Sequence, residues 1–202
     1  SIAVLPFVNA GRDPNAEYLS DGITESVINA LSRLPQLRVA APSTLFRYKG
    51  REEEPQKIGR DLNVRAVVSG KVTQRGDTLV IQAELVDAAN GSQIWGEQYD
   101  RKLSDILTVQ EEIAREISEK LRLRLTGREK ERLKKRDTAS TDAYQLYLKG
   151  RYGWQLRTED GIRGSAEFFH QAIEKDPSYA LAYAGLADSY AVMSSSSILS
   201  PA

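Results

Sequence analysis

Hydrophobic and polar positions change period several times along the chain, and each change marks an element. Ser1–Phe7 (SIAVLPF) is an apolar run broken by Pro6. The turn-rich NAGRDPN follows, so the run predicts a short buried strand that Pro6 ends or places near an edge. In LSDGITESVINALSRLP, Ile23, Val27, Leu31 and Leu34 recur at helical spacing, and Ile28 and Ala30 widen the stripe. Ser20 or Asp21 is the expected cap, a start near Glu17 is the alternative, and Pro35 ends the helix. Leu37–Pro42 (LRVAAP) predicts a second short strand, and the spacing of Ile58 and Leu62 predicts a short helix. Strand signals then follow in a row. RAVVSGKVTQ runs into the turn RGD, and in TLVIQAELVD the residues Leu79, Ile81, Ala83 and Leu85 alternate onto one face. Asn90–Gly91 is a strong hairpin signal, and SQIWGEQYD completes an antiparallel meander. LSDILTVQEEIAREISEKLRLRL predicts a long amphipathic helix with Ile106, Val109, Ile113, Ile117 and Leu121 on its stripe and Ser104 as cap.

One mixed sheet with helices packed on it buries every one of these stripes. Residues 1–127 are therefore expected to form an α/β (α+β) sandwich domain. Beyond Gly127 the pattern fails: GREKERLKKRD carries one large apolar residue, Leu133, and residues 128–140 read as a charged linker or helix extension. From Thr141 the helical period returns, rich in Tyr and Ala, and residues 141–202 are expected to be an all-α helical repeat segment.

Within that segment residue types recur at fixed offsets. With Pro177 as a turn proline, Phe169 and Ala172 take the aromatic and small positions of one helix, and Tyr183, Leu186, Ala187 and Tyr190 take the signature positions of the next. The arrangement resembles the tetratricopeptide repeat (TPR), two antiparallel helices with small residues where they cross. Around AYQLYLKGRYGW, Lys149 falls where Trp belongs and Gly153 on the Gly position; a short insertion near QLRTED would place Gly150 there instead. About one and a half repeats are present on the ~34-residue period, and about three make a stable stack. The segment is thus expected to be a truncated array from a longer protein. Its last helix should expose an apolar face and offer a homodimer contact, and SSSSILSPA after it should fray.

The earlier region also resembles a known family. EYLSDGITESVINALSRLPQLRVAAPSTLFRYKG, IGRDLNVRAVVSGKV, LVIQAELVDAANGSQIWGEQYDR and DILTVQEEIAREI are similar, in that order, to the TolB-amino-terminal-like domain. That domain is joined to TPR repeats in bacterial serine/threonine kinases, adenylate cyclases and membrane-integrated transcription activators. One position departs from the pattern, Pro42, where the family often has Arg. The resemblance implies an accessory sensing or docking region, set outside the cytoplasm, of a membrane-anchored bacterial signalling protein whose effector module lies on the amino-terminal side.

Composition narrows the chemistry. Lys plus Arg and Asp plus Glu number 28 each, so long-range steering toward nucleic acid has no global basis and no nucleic-acid partner is expected. With no Cys, disulfides, thiolate zinc sites and Cys nucleophiles are excluded. His170 is the single His, which excludes a multi-His metal site, and its place beside Phe169 predicts a surface or satisfied helix position. Glu111 and Glu112 are helical neighbours that do not face each other, and Asp21 with Glu25 stands in no recognisable acid–base motif. Phosphate-loop, G-x-G-x-x-G, H-E-x-x-H and G-x-S-x-G patterns are absent. Arg75–Asp77 and Asn90–Ser92 read as turns. Arg128, Lys130, Arg132, Lys134, Lys135 and Arg136 form a basic cluster interleaved with Glu129 and Glu131, the pattern of a solvated connector. No apolar run approaches the ~18 residues of a membrane span, so no insertion is expected in this segment.

No catalytic residue, metal or cofactor is expected. The reading is a non-enzymatic region that docks a protein or peptide partner in a groove lined by the first helix of each repeat, with Lys149, Tyr152, Ala184 and Asp188 as partner-binding residues. Tyr144, Tyr147, Tyr152 and Trp154 form an aromatic cluster expected in the repeat core or the contact between domains. The alternative is a regulatory region that binds a small ligand at the domain junction.

Overall fold

The structure, a computed structural model, describes residues 1–51 and 53–195. The chain divides into two compact units, Ser1–Lys135 and a second from Arg136 onward.

The first unit is built on a mixed sheet of β1 (Ile2–Val4), β2 (Val8–Asn9), β3 (Ala66–Arg75), β4 (Thr78–Asp87) and β5 (Gln93–Lys102). The order is β1-β3-β4-β5, with β2 also on β3. β1 and β2 run parallel to β3, whereas β3, β4 and β5 form the antiparallel meander. Ile2–Val4 and the facing Ala66–Val68 are buried at every position, which is why neither shows alternation. Pro6 lacks an N–H, and the ladder pauses there: pairing stops at Val4↔Val68 and resumes at Val8↔Lys71. Phe7 fills the gap. Its N–H donates to Thr24 Oγ1 (2.9 Å), and a methyl group at Gly70 would lie 2.7 Å from its ring, so Gly70 leaves the space the ring occupies.

Helices α1 (Glu17–Ser32), α2 (Pro42–Leu45), α3 (Pro55–Leu62), α4 (Ile106–Lys120) and α5 (Gly127–Leu133) complete this unit. α1 and α4 pack on each other and on the sheet. Ile23, Val27 and Leu31 of α1, Ile106, Val109, Ile113 and Ile117 of α4, and Leu79, Ile81 and Leu85 of β4 are wholly buried. Trp95 and Tyr99 of β5 close the same face, and the Tyr99 hydroxyl donates to Glu116 Oε2 of α4 (3.1 Å). Burial, then the nearby Glu116 charge, pushes the Tyr99 phenol well above its usual range. The opposite face of the meander carries Lys71, Gln82, Glu84, Gln98 and Asp100, all exposed, giving the one-sided alternation of an antiparallel sheet.

Several local expectations are corrected. α1 starts at Glu17, the alternative read from sequence, after a 3-10 turn capped by Asp13, so Ser20 and Asp21 are interior and buried rather than capping. Asp21 instead receives Lys49 Nζ on both carboxylate oxygens (2.7 and 2.6 Å), while Lys49 also pairs with Glu17 (2.8 Å) and so ties the loop after α2 to α1. Burial pushes the Asp21 carboxyl up despite Lys49. Burial pulls the Lys49 ammonium down, but its bonds to Asp21 and Glu17 outweigh that and hold it above its usual value. For Glu17, burial is likewise outweighed by hydrogen bonds from Lys49 and Asn9, and its carboxyl is lowered. LRVAAP forms a single bridge, Val39 beside Ile2, because Pro42 has no N–H to extend a ladder and opens α2. α4 begins after a 3-10 turn at Leu103–Asp105, so Ser104 is not its cap, and it stops at Lys120, where Arg122 adopts a positive φ of 56°. Residues 128–140 contain the end of α5, a separate helix restarted by a capping box between Thr126 and Glu129. Its Leu133 is buried, and Arg33 Nη1 donates to the Lys135 carbonyl (2.6 Å). No helix among the described residues is long and apolar enough to cross a membrane.

Candidate protein-docking surface

The second unit consists of α6 (Thr141–Gln155), α7 (Glu159–Lys175) and α8 (Ala180–Ser195). Ser140 caps α6 by accepting from the Ala143 N–H (3.1 Å), and Thr158 caps α7 by accepting from the Gly161 N–H (3.1 Å). The connections are so short that consecutive helices must run antiparallel. Arg157, at φ 55°, turns the chain between α6 and α7, and Asp176–Tyr179 turns it between α7 and α8. There the Asp176 carboxylate accepts from the Ser178 hydroxyl (2.6 Å) and N–H (3.0 Å), and from Thr138 Oγ1. The Ser178 hydroxyl, then Thr138, holds its pKa below the usual carboxylate range.

α7 lies in the middle and packs on both neighbours. Its Phe169, fully buried, is the pivot: a methyl group at Gly150 of α6 would lie 2.7 Å from that ring, and one at Gly185 of α8 2.5 Å. The two glycines let both helices close on one aromatic plate. Gly153 makes a different close approach, where a methyl group would lie 2.9 Å from the Gly161 carbonyl. Both glycines weighed from sequence therefore sit at crossings. Ser165 of α7 and Ser189 of α8, both wholly buried, share a hydrogen bond (2.8 Å), and Ser189 donates to the Gly185 carbonyl (2.9 Å). Tyr147 stands 5.7 Å from Phe169 and 5.1 Å from Tyr179, ring centre to ring centre. Of the aromatic cluster, Tyr144 is buried in the core, whereas Tyr147, Tyr152 and Trp154 are half-buried; Tyr179 beside them is buried too. Trp154 rests on the cluster of Ile162, Ala166 and Met193, with the Arg157 guanidinium 3.7 Å above its ring.

Apolar residues are spread around α8 rather than gathered on one side, yet only one side is covered. Ala182, Gly185, Ser189 and Met193 face inward. Leu181, Tyr183 and Tyr190 are each 40% or more exposed, on the same helix as the exposed Ala184, Ala187 and Asp188. The exposed aromatics are anchored at their hydroxyls: Tyr183 donates to the Pro177 carbonyl (3.1 Å), and Tyr190 shares a hydrogen bond with His170 Nε2 (2.9 Å). His170 is thus an exposed, hydrogen-bonded helix residue. The docking residues read from sequence fall into two pairs. Ala184 and Asp188 are exposed on α8, whereas Lys149 and Tyr152 are half-buried on α6, and the Lys149 ammonium lies 5.9 Å from the centre of the Phe168 ring on α7. Leu181 and the His170–Tyr190 pair were not singled out from sequence. The signal was partly present: small residues at 182, 185 and 189 mark the buried side and set Leu181, Tyr183 and Tyr190 off it, whereas Leu186 packs on the inner cluster. Among the described residues no group of three or more His, Asp or Glu is placed to hold a metal ion.

The chain thus joins an α/β sandwich on a mixed sheet to an all-α segment that displays apolar side chains. Residues 1–116 match the HilA/YgeH-like transcriptional regulator, second domain, and the chain belongs to that family. It is 38% identical over 186 residues to "Putative adenylate cyclase 3" of Rhizobium meliloti (strain 1021), a match covering 92% of this chain and 32% of that protein. The chain therefore spans about a third of the length of this relative. Similar solved structures include lipoprotein GNA1162 from Neisseria meningitidis, with 22% identity, 62% of this chain, 98% of that one and a TM-score of 0.43. TolB from Acinetobacter baumannii is similar at 18% identity over 59% of this chain and 27% of that one, with a TM-score of 0.45. Neither similarity reaches a level that assigns function.

Proposed function

We propose that this chain is a non-enzymatic accessory region of a larger bacterial signalling protein, and that its helical unit is a TPR-like array that docks a protein or peptide partner. The observation that carries the reading is the open side of α8. A helix with apolar residues on every side normally buries them, and here Leu181, Tyr183 and Tyr190 stay in solvent with two of the three pinned by hydrogen bonds. Pinned aromatics lose little side-chain entropy on binding, which favours them as anchors. Ala184 and Asp188 supply a close approach and a charge on α8, and Lys149 and Tyr152 extend the surface on α6. Membership of a transcription-regulator domain family and the cyclase-named relative support a signalling context. In the resemblance drawn from sequence such a region lies across a membrane from its effector, and we place this one outside the cytoplasm on that basis; a fusion to a phosphatase active only after export tests it.

Site-specific photo-crosslinkers at positions 184 and 188 of the full-length protein, in its own bacterium, test the docking reading. Covalent capture of one defined partner from both positions, and not from a control at Asp61, supports it. Capture of nothing, or of the same proteins from all three positions, overturns it. Cyclase turnover by this chain alone would overturn the non-enzymatic part.

A further inference from the structure

β5 ends the sheet, and one edge of its ten residues is unpaired among the described strands. The bond from the Leu103 N–H to the Asp77 carbonyl (2.8 Å) fixes which residues face that edge. Leu103, Arg101, Tyr99 and Glu97 turn their backbone groups toward β4, so Gly96, Gln98, Asp100 and Lys102 turn theirs outward. Open edges are commonly blunted by charge. β5 carries Glu97, Asp100, Arg101 and Lys102, two charges of each sign.

In one register they attract. With a two-fold axis through Tyr99, Gln98 faces Asp100 of the second copy, Gly96 faces Lys102, and Glu97 faces Arg101, each twice by symmetry. The first two pairings join outward-turned residues, which can then exchange backbone hydrogen bonds. The third falls at a non-hydrogen-bonded pair, where side chains approach most closely and opposite charges stabilise. An axis at Gln98 sets Glu97 against Tyr99 and loses both ion pairs. An axis at Asp100 or at Glu97 sets a carboxylate against its own copy. The groups are also poised for the favoured register. Glu97 is exposed, and Arg101 is held by Glu112 Oε2 (3.1 Å) while its Nη1 donates to the outward-turned Asp100 carbonyl (3.2 Å), a bond that pairing at this edge would share or replace. Tyr99, on the axis, is folded inward under α4 by its bond to Glu116 and leaves the backbone free to approach.

We propose that β5 pairs antiparallel with β5 of a second copy, Tyr99 on the two-fold, so that two first units share one continuous sheet. The test is the solution mass of the full chain by sedimentation, with circular dichroism to confirm folding. The wild type is expected to be a dimer. Glu97→Arg puts like charges opposite each other twice and should weaken the dimer by about thirtyfold. The double variant Glu97→Arg, Arg101→Glu restores opposite charges and should restore the dimer. Gln98→Pro removes an outward N–H that β4 does not use, so the monomer should fold while the dimer is lost. A wild type that stays monomeric at ~100 μM, a Kd in the range of chance contacts, overturns the proposal. So does a dimer indifferent to Glu97→Arg and Gln98→Pro, or one abolished only by Leu181→Glu and Tyr190→Glu on α8.

Discussion

The two units solve the burial of apolar surface in opposite ways. The first closes most of its apolar surface, leaving Val8 and Ile94 exposed: α1 and α4 cover one side of the meander, and the charged and amide side chains of the other side meet water. Its buried carboxylate, Asp21, is satisfied by Lys49. The second has a single plate, Phe169, between two glycines, and its outermost helix keeps Leu181, Tyr183 and Tyr190 exposed. A sheet covered by helices is complete in itself, whereas a stack of helices is complete only where the next layer arrives. Among the described residues α8 accordingly has one side packed on α7 and one side open.

The sharpest way to break this contrast is Phe169→Ala. Removing the plate leaves a cavity between Gly150 and Gly185, and the second unit should lose about 3–5 kcal/mol, enough to unfold it, while the first unit keeps its own transition in a thermal melt. A single merged transition before and after the change would show that the units are not independent. Lys49→Met tests the first unit: it strands the Asp21 carboxylate, 5% exposed, and should cost about 2–3 kcal/mol in denaturant titration. Asp21→Asn in the same background should recover most of that loss. Gly185→Ala is next, about 1–3 kcal/mol confined to the second unit, because the new methyl group meets the Phe169 ring at 2.5 Å.

A smaller effect follows from pH. Asp176 has its carboxyl pKa lowered by the Ser178 and Thr138 hydroxyls. A carboxylate depressed on folding contributes stability that is fully present above its unfolded pKa and lost as pH falls through the folded value. The second unit should therefore soften in acid, below the usual Asp range, and Asp176→Asn should flatten that part of its stability profile. Tyr183→Ser sits at the bottom of the scale: a change within about 0.5 kcal/mol in stability, with loss of crosslinking from position 184.

Much of the first unit was legible because its signals are long-period and redundant. The alternation in β4, the RGD turn and the stripe from Ile106 to Ile117 each have a single structural reading. What was not legible depended on tertiary partners. Asp21 looks like a cap, and only the arrival of Lys49 from a distant loop makes a buried interior position tolerable for it. The end of α4 at Lys120 is set by a left-handed Arg122, although Leu121 continues the apolar period. Thr126 and Glu129 announced a new helix start, but the density of charge around them reads first as a solvated connector. In the helical unit Gly150, Gly153 and Phe169 were visible as repeat positions; Gly185 was not, because its closeness to the Phe169 ring depends on how α8 packs on α7.

The chain has two tryptophans, and the fold puts one in each unit: Trp95 on the inward face of β5, and Trp154 half-buried beneath Arg157 on α6. Each unit thus carries its own optical reporter. Trp95→Phe leaves a protein whose indole emission speaks for the helices alone, and Trp154→Phe one whose emission speaks for the sheet, so separate melting can be watched without labels, tags or dissection of the chain.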